Sequence, residues 1–436
     1  MKYDYLIKNC AILTLDKNLR IIEKGFIALK GSKIELIGEI SSLPPESSAE
    51  KIIEAETMLA MPGLINAHTH AAMVYFRGLA DDIPLKEWLE KHIWPAEAKF
   101  VSPSFIREAV KLAALEMIKS GTTAFCDMYF AEDVAAESLK ELGIRAFLGE
   151  GILDFPTPIT KSPEESMERI EKFASDYKGD ELITPVVAPH APYTCSEETL
   201  KKAANLAEKL SLPLHIHLAE EEWELEKFKK EKGMSSVAYL ESIGFLCSNL
   251  SAAHVNWIDE NDIELLEKTK TSVVHNPESN MKLATGISPV PEMLKNGVNV
   301  ALGTDGAASN NNLDMFGEMA TAARLHKIAK RDPQAITALD VIKMATLGGA
   351  QALSAEKEIG SLERGKKADI ILINLKKPHL TPIYNFYSHL VYSAISPDVD
   401  TAIINGRVVM KNRKILTVDE EEILEKARYF AQKIKS

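Results

Sequence analysis

Between residues 59 and 357 short, almost unbroken apolar runs alternate with longer segments in which Leu, Ala and Ile recur at helical spacing among charges. The runs are Met61–His70, Thr122–Met128, Arg145–Ile152, Ile183–His190, Leu214–Ala219, Leu250–Val255, Thr271–His275 and Val298–Asp305. Segments such as Ser104–Lys119, Thr199–Leu210 and Glu260–Thr269 read as the helices between them. Strand and helix units repeated in this way describe a closed parallel barrel better than an open sheet.

The texture differs at the two ends. Residues 1–58 hold short β-branched runs broken by turn residues, among them Ala11–Leu15 and Gly25–Leu29, and read as a small antiparallel sheet. Similar runs return at Ala368–Ile373 and Thr401–Val409. Half a sandwich cannot bury its apolar face alone, so both ends are expected to build one β-sandwich. The predicted fold class is α/β, a (β/α)8 TIM barrel with a small β-sandwich domain formed from both chain ends. Its parts are residues 1–58 and 358–416 for the sandwich, 59–357 for the barrel, and 417–436 for a terminal amphipathic helix over Asp419–Lys435.

Composition narrows the function. The 436 residues are 46% hydrophobic and 26% charged, ordinary for a globular enzyme, and the net charge of −12 argues against nucleic acid or an anionic membrane as a partner. Cys10, Cys126, Cys195 and Cys247 are widely separated with no CxxC pair, the first residues lack a signal-peptide pattern, and no run of 18 apolar residues occurs. A cytoplasmic protein is expected, and the charge says nothing about a small uncharged or zwitterionic substrate.

In a barrel of this kind the active site lies at the C-terminal ends of the strands. Five runs close on a metal-ligating or proton-handling residue: His68 and His70 on the first, His190 on the fourth, His217 on the fifth, His254 on the sixth and Asp305 on the eighth. His68 and His70, two apart in a strand, point to one face and can hold one ion. With His217 and Asp305 they make three imidazoles and a carboxylate, a set suited to zinc. His215 shares the face of His217 but lies deeper, and is read as packing or support. An ion held there would lower the pKa of a water to about 7, and hydrolysis follows as the natural chemistry. Glu220, three residues past His217, is positioned to carry a proton between that water and a substrate.

These residues resemble a known family. Pro62–His70, His217 with Glu220, His254 and Leu302–Gly306 are together similar to the amidohydrolase superfamily in its mononuclear deaminase branch. Pro189–Ser196, His275–Leu283 and Thr304–Asn311 are similar to the group that deaminates 5′-methylthioadenosine and S-adenosylhomocysteine. The resemblance implies one Zn2+ per chain on His68, His70, His217 and Asp305. It also implies Asp305 as proton acceptor, Glu220 as proton shuttle to the purine ring, and His254 orienting the attacking water. It assigns Glu97 to the ribose hydroxyls, His190 to a substrate contact and Trp88 to the nucleoside pocket. Members that accept a homocysteine tail carry an arginine near the end of the third strand, where this chain has Glu150, which puts an anionic tail in question. Rival readings are a guanine or triazine deaminase or chlorohydrolase of the same branch, a binuclear ring-opening enzyme, whose bridging lysine is replaced here by His190, and an inactive binding relative. The unrelated cytosine-editing zinc deaminases are excluded by the missing H-x-E and P-C-x-x-C signatures.

Overall fold

The structure, a computed structural model, describes residues 2–435. Eight parallel strands follow one another in sequence order: Leu64–Thr69, Thr122–Tyr129, Arg145–Ile152, Ile183–Pro189, Leu214–Leu218, Leu250–His254, Ser272–His275 and Val300–Leu302. Each falls within or one residue beyond a run read from the sequence, and the helices Pro103–Lys119, Glu197–Leu210 and Glu260–Thr269 lie where the periodicity predicts them. Serine and aspartate caps explain their starts: Ser102, Ser196 and Asp259 each accept a hydrogen bond from the first turn of the helix that follows.

The seam between the eighth strand and the first has no regular ladder. It is closed by Asp305 N–H donating to His68 O at 3.0 Å and by the Asn66 side chain, which exchanges hydrogen bonds with Thr304 N (2.9 Å) and Thr304 Oγ1 (2.7 Å). Gly303 makes this approach possible, since a Cβ there would lie 2.8 Å from His68 N. Barrel closure and the meeting of His68 with Asp305 are therefore one event.

Both chain ends enter a second sheet of nine strands among the described residues. It is mixed rather than antiparallel. Lys2–Leu13 pairs antiparallel with Ile21–Lys30 but parallel with Ser48–Glu54 and Met58–Pro62. Met58–Pro62 in turn pairs antiparallel with Ile370–Asn374 and so joins the two ends. This corrects the boundary after residue 58: residues 59–62 belong to the terminal sheet, and the chain passes to the barrel at Gly63, where a Cβ would meet the Thr123 side chain at 2.0 Å. Ile7, Ile12, Ile27, Leu29, Ile370 and Ile403 share one apolar cluster, which is why neither end stands alone. The last helix, Glu420–Lys435, leaves this sheet and packs on the barrel: Phe430 meets Tyr75 and Phe105, with ring centroids 5.3 and 5.8 Å apart. No helix among the described residues is long and apolar enough to cross a membrane.

Candidate active site

The strand ends converge on a cavity of about 460 Å³ at the C-terminal mouth of the barrel. His70 lines its floor and His68, fully buried, lies beneath it beside Asp305, while Thr69 between them faces outward, hydrogen-bonded to Cys126 O (3.0 Å) and Asp127 Oδ1 (2.9 Å). Asp127 also accepts from Ala71 N–H at 2.7 Å, so the second strand grips both neighbours of His70.

Backbone carbonyls set the ring protons. Carbonyls only accept, so His70 Nδ1–H donates to Met128 O (2.6 Å) and His217 Nδ1–H donates to His190 O (2.8 Å). The two Nε2 atoms left bare face each other at 3.2 Å. Asp305 Oδ1 lies 3.4 Å from His70 Nε2 and 3.5 Å from His68 Nε2, and the latter is buried with no hydrogen-bond partner. Lone pairs do not converge at this spacing without a cation among them, and the donor set of imidazoles and one carboxylate fits a divalent metal ion. Asp305 stands in the left-handed region (φ +62°), held by Ser279 Oγ–H to its Oδ2 (2.6 Å) and Gly306 N–H to its Oδ1 (2.7 Å).

His254 is oriented by a second chain of hydrogen bonds that also starts at a carbonyl. Asn256 Nδ2–H donates to Glu220 O (2.9 Å), Asn280 Nδ2–H to Asn256 Oδ1 (2.8 Å), and His254 Nδ1–H to Asn280 Oδ1 (2.9 Å). His254 Nε2 is thus left as an acceptor, 3.8 Å from Glu220 Oε1. Glu220 precedes the helix Glu222–Lys232 rather than starting it, and its carboxyl lines the cavity. Burial, then the charges of Asp305, Glu221 and Glu224, push its pKa well above that of an ordinary glutamate.

Glu97 lines the same cavity, accepting from Tyr129 O–H at 2.7 Å, and burial pushes its pKa up to about 7. His190, whose Nδ1 is 2.9 Å from Thr194 Oγ1, and Trp88, whose indole N–H donates to Ala80 O (3.0 Å), line it too. Burial lowers the His190 pKa to about 3, so its ring faces the cavity neutral. Trp94, Phe130, Leu153, Phe155, Pro156 and Pro158 form an apolar wall, and among the described residues neither lysine nor arginine lines the cavity.

Glu150 is a correction. It lies outside the cavity lining, its two carboxylate oxygens accepting from Ala131 N–H (3.2 Å) and Glu132 N–H (3.1 Å), and Arg169 Nε is 3.5 Å away. The pleat explains this: the neighbour Gly151 faces the cavity, and Glu150 faces the helices. Tyr129, Ser279 and Asn280 hydrogen-bond to Glu97, Asp305 and His254 of the candidate site, and the strand ends did not single them out. Tyr129 sits one residue past a run read as ending at Met128, while Ser279 and Asn280 lie in the His275–Leu283 motif without an assigned task.

An amidohydrolase family profile matches residues 59–409. The chain is 49% identical over 432 residues to a 5-methylthioadenosine/S-adenosylhomocysteine deaminase of Syntrophobacter fumaroxidans, covering 99% of this chain and 98% of that one. It is 46% identical over 433 residues to a 5′-deoxyadenosine deaminase of Methanosarcina acetivorans, with the same shares covered. Among solved structures, an adenosine deaminase from Xanthomonas campestris with bound zinc superposes with a TM-score of 0.97 at 35% identity, over 100% of this chain and 99% of that one. With the profile spanning the barrel and relatives matching from end to end, this chain belongs to the amidohydrolase family.

Proposed function

We propose that this protein is a zinc-dependent hydrolytic deaminase of adenine ribonucleosides with a small uncharged group at the 5′ carbon, such as 5′-methylthioadenosine or 5′-deoxyadenosine. The observation that carries this reading is the convergence of acceptor atoms on His68, His70, His217 and Asp305, the last three of which line a cavity that also holds Glu220 and Glu97. Those four residues hold a single ion. When bound, the ion supplies a water whose pKa is lowered toward about 7.

The remaining steps belong to side chains. His254 Nε2 accepts a hydrogen bond from the attacking water and aims it at C6 of the adenine. Glu220, kept protonated by burial, donates to the ring nitrogen beside C6 while Asp305 takes the proton lost by the water. Ammonia then departs with the proton that Asp305 took up, and the hydroxyl proton on C6 returns to Glu220, leaving the hypoxanthine nucleoside. Glu97, held by Tyr129, accepts from the ribose hydroxyls, which favours a nucleoside over a free base and counts against a guanine or triazine substrate.

Acceptance of a homocysteine tail no longer turns on Glu150, which is outside the cavity. The apolar wall and the lack of a lining cation support a neutral 5′ group instead. The test is loss of adenine absorbance with ammonia release across 5′-methylthioadenosine, 5′-deoxyadenosine, adenosine, S-adenosylhomocysteine and free bases, with zinc content measured on the same sample. Turnover of the first two above the rest, at one zinc per chain, is expected. Preference for a free base, or full activity after complete chelation, would overturn the reading.

A further inference from the structure

Behind His68, on the side away from the other acceptor atoms, lies a short buried chain of polar groups. His215 Nε2 is 2.7 Å from His68 Nδ1, His215 Nδ1 is 2.7 Å from Ser251 Oγ, and Ser251 Oγ is 3.3 Å from Leu214 O. All three side chains are buried. The register of the sheet creates the contact, since His215 and Ser251 are direct partners on the fifth and sixth strands. His215 faces the back of His68 rather than the converging acceptors, so it does not compete with His217 for an ion.

The direction of the chain follows from its end. Leu214 O can only accept, so the Ser251 hydroxyl donates to it and its oxygen accepts from His215 Nδ1–H. His215 Nε2 is then bare and accepts from His68 Nδ1–H. His68 Nε2 is left without a proton, and it is the nitrogen found buried without a partner beside Asp305. In the opposite direction, with Ser251 donating to His215, each ring proton moves to the other nitrogen and His68 Nε2 carries a hydrogen into the cluster, where it cannot ligate. Two networks thus differ only in proton direction, and one of them is competent for metal.

We propose that His215 and Ser251 are positioning residues that lock His68 in the tautomer able to bind the metal. This rests on the reading of His68 as a ligand. Outer partners of ligating histidines are worth about 10- to 100-fold in metal affinity.

The experiment measures zinc affinity of the purified protein by chelator competition, together with the melting temperature of the metal-free form. His215→Phe, similar in size but without an acceptor, is expected to bind zinc about 10- to 100-fold more weakly. His215→Gln, whose amide oxygen can accept from His68 Nδ1–H, should recover most of that loss. Ser251→Ala, which removes the end that sets the direction, should weaken zinc binding about fivefold, the worth of one net hydrogen bond. Nitrogen-15 spectra of the imidazoles in the zinc form should show protons on Nδ1 of both His68 and His215, and this arm decides if His215→Phe does not fold. A proton on His215 Nε2, or zinc affinity unchanged in Ser251→Ala and equal in the Phe and Gln variants, overturns the proposal. His68→Ala separates the two readings. If it keeps wild-type zinc affinity, the ligand assignment fails; if it loses zinc while His215→Phe does not, only the relay fails.

Discussion

The two ends of the barrel both bury charge, and they treat it in opposite ways. At the base, Arg145 donates through Nε and Nη2 to Asp369 at 2.7 and 3.1 Å and through Nη1 to Glu181 O at 2.5 Å, while Asn405 N–H completes Asp369 at 2.7 Å. Every charged oxygen and nitrogen named there has its partner. At the mouth, His68 Nε2 has none, the His70 and His217 lone pairs face each other, and Glu220 is pushed toward its neutral form. A buried ion pair with complete hydrogen bonding ties the barrel to the terminal sheet. A buried set left incomplete is what a metal, a water and a substrate can complete.

Substitutions at the two ends should therefore separate activity from stability. The largest effect is expected from Glu220→Gln, which keeps size and polarity but cannot shuttle a proton: kcat should fall about 100- to 10,000-fold while zinc content and melting temperature hold. Turnover near wild type would assign the proton to another group. At the base, Arg145→Met leaves Asp369 buried and unpaired. It should destabilise the fold by about 3–5 kcal/mol in denaturant titration, with kcat of the folded protein within about twofold of wild type. If kcat fell in step with stability, the two ends would not be independent. Returning to the mouth, Glu97→Ala removes an acceptor for the ribose and should lower kcat/KM for ribonucleosides about 10- to 100-fold. Its effect on a nucleoside analogue without ribose hydroxyls should be small, and an equal loss on both would remove Glu97 from the sugar site.

The remaining effect is one of pH alone and concerns Glu150, a structural carboxylate near the mouth that behaves like neither group. Burial raises its pKa from 4.5 to about 7, with Arg169 and two backbone N–H groups opposing the rise. The folded state therefore holds a proton that the unfolded chain has released between pH 4.5 and about 7, and the stability due to this group declines as pH rises through that window. Glu150→Gln cannot titrate. Its stability relative to wild type should climb by up to about 3 kcal/mol from pH 4.5 to 7 and then level off, without a change in substrate preference. A shift in preference toward S-adenosylhomocysteine would return Glu150 to the cavity.

Much of this was legible in the chain itself. Buried parallel strands read as apolar runs, so all eight barrel strands appeared in order, and the residues closing those runs named His68, His70, His190, His217, His254 and Asp305 before any contact was known. Helical periodicity located Glu260–Thr269 with the same bounds that the fold gives it. These are local signals: a strand or helix facing a core repeats its pattern within a few residues.

What needed the tertiary structure was which face each residue took and which distant group it met. Glu150 drew attention because it stands where members of the family that take a homocysteine tail carry an arginine, yet the pleat turned it toward the helices. The mixed pairing of the terminal sheet, and the transfer of Met58–Pro62 into it, depend on strands more than 300 residues apart in the chain. His215 meets His68 across 147 residues and Ser251 across 36, and the proton direction in that chain is set by one backbone carbonyl. Periodicity records that a position is buried; the partner that satisfies a buried polar atom, or leaves it bare for a metal, is decided only when the strands come into register.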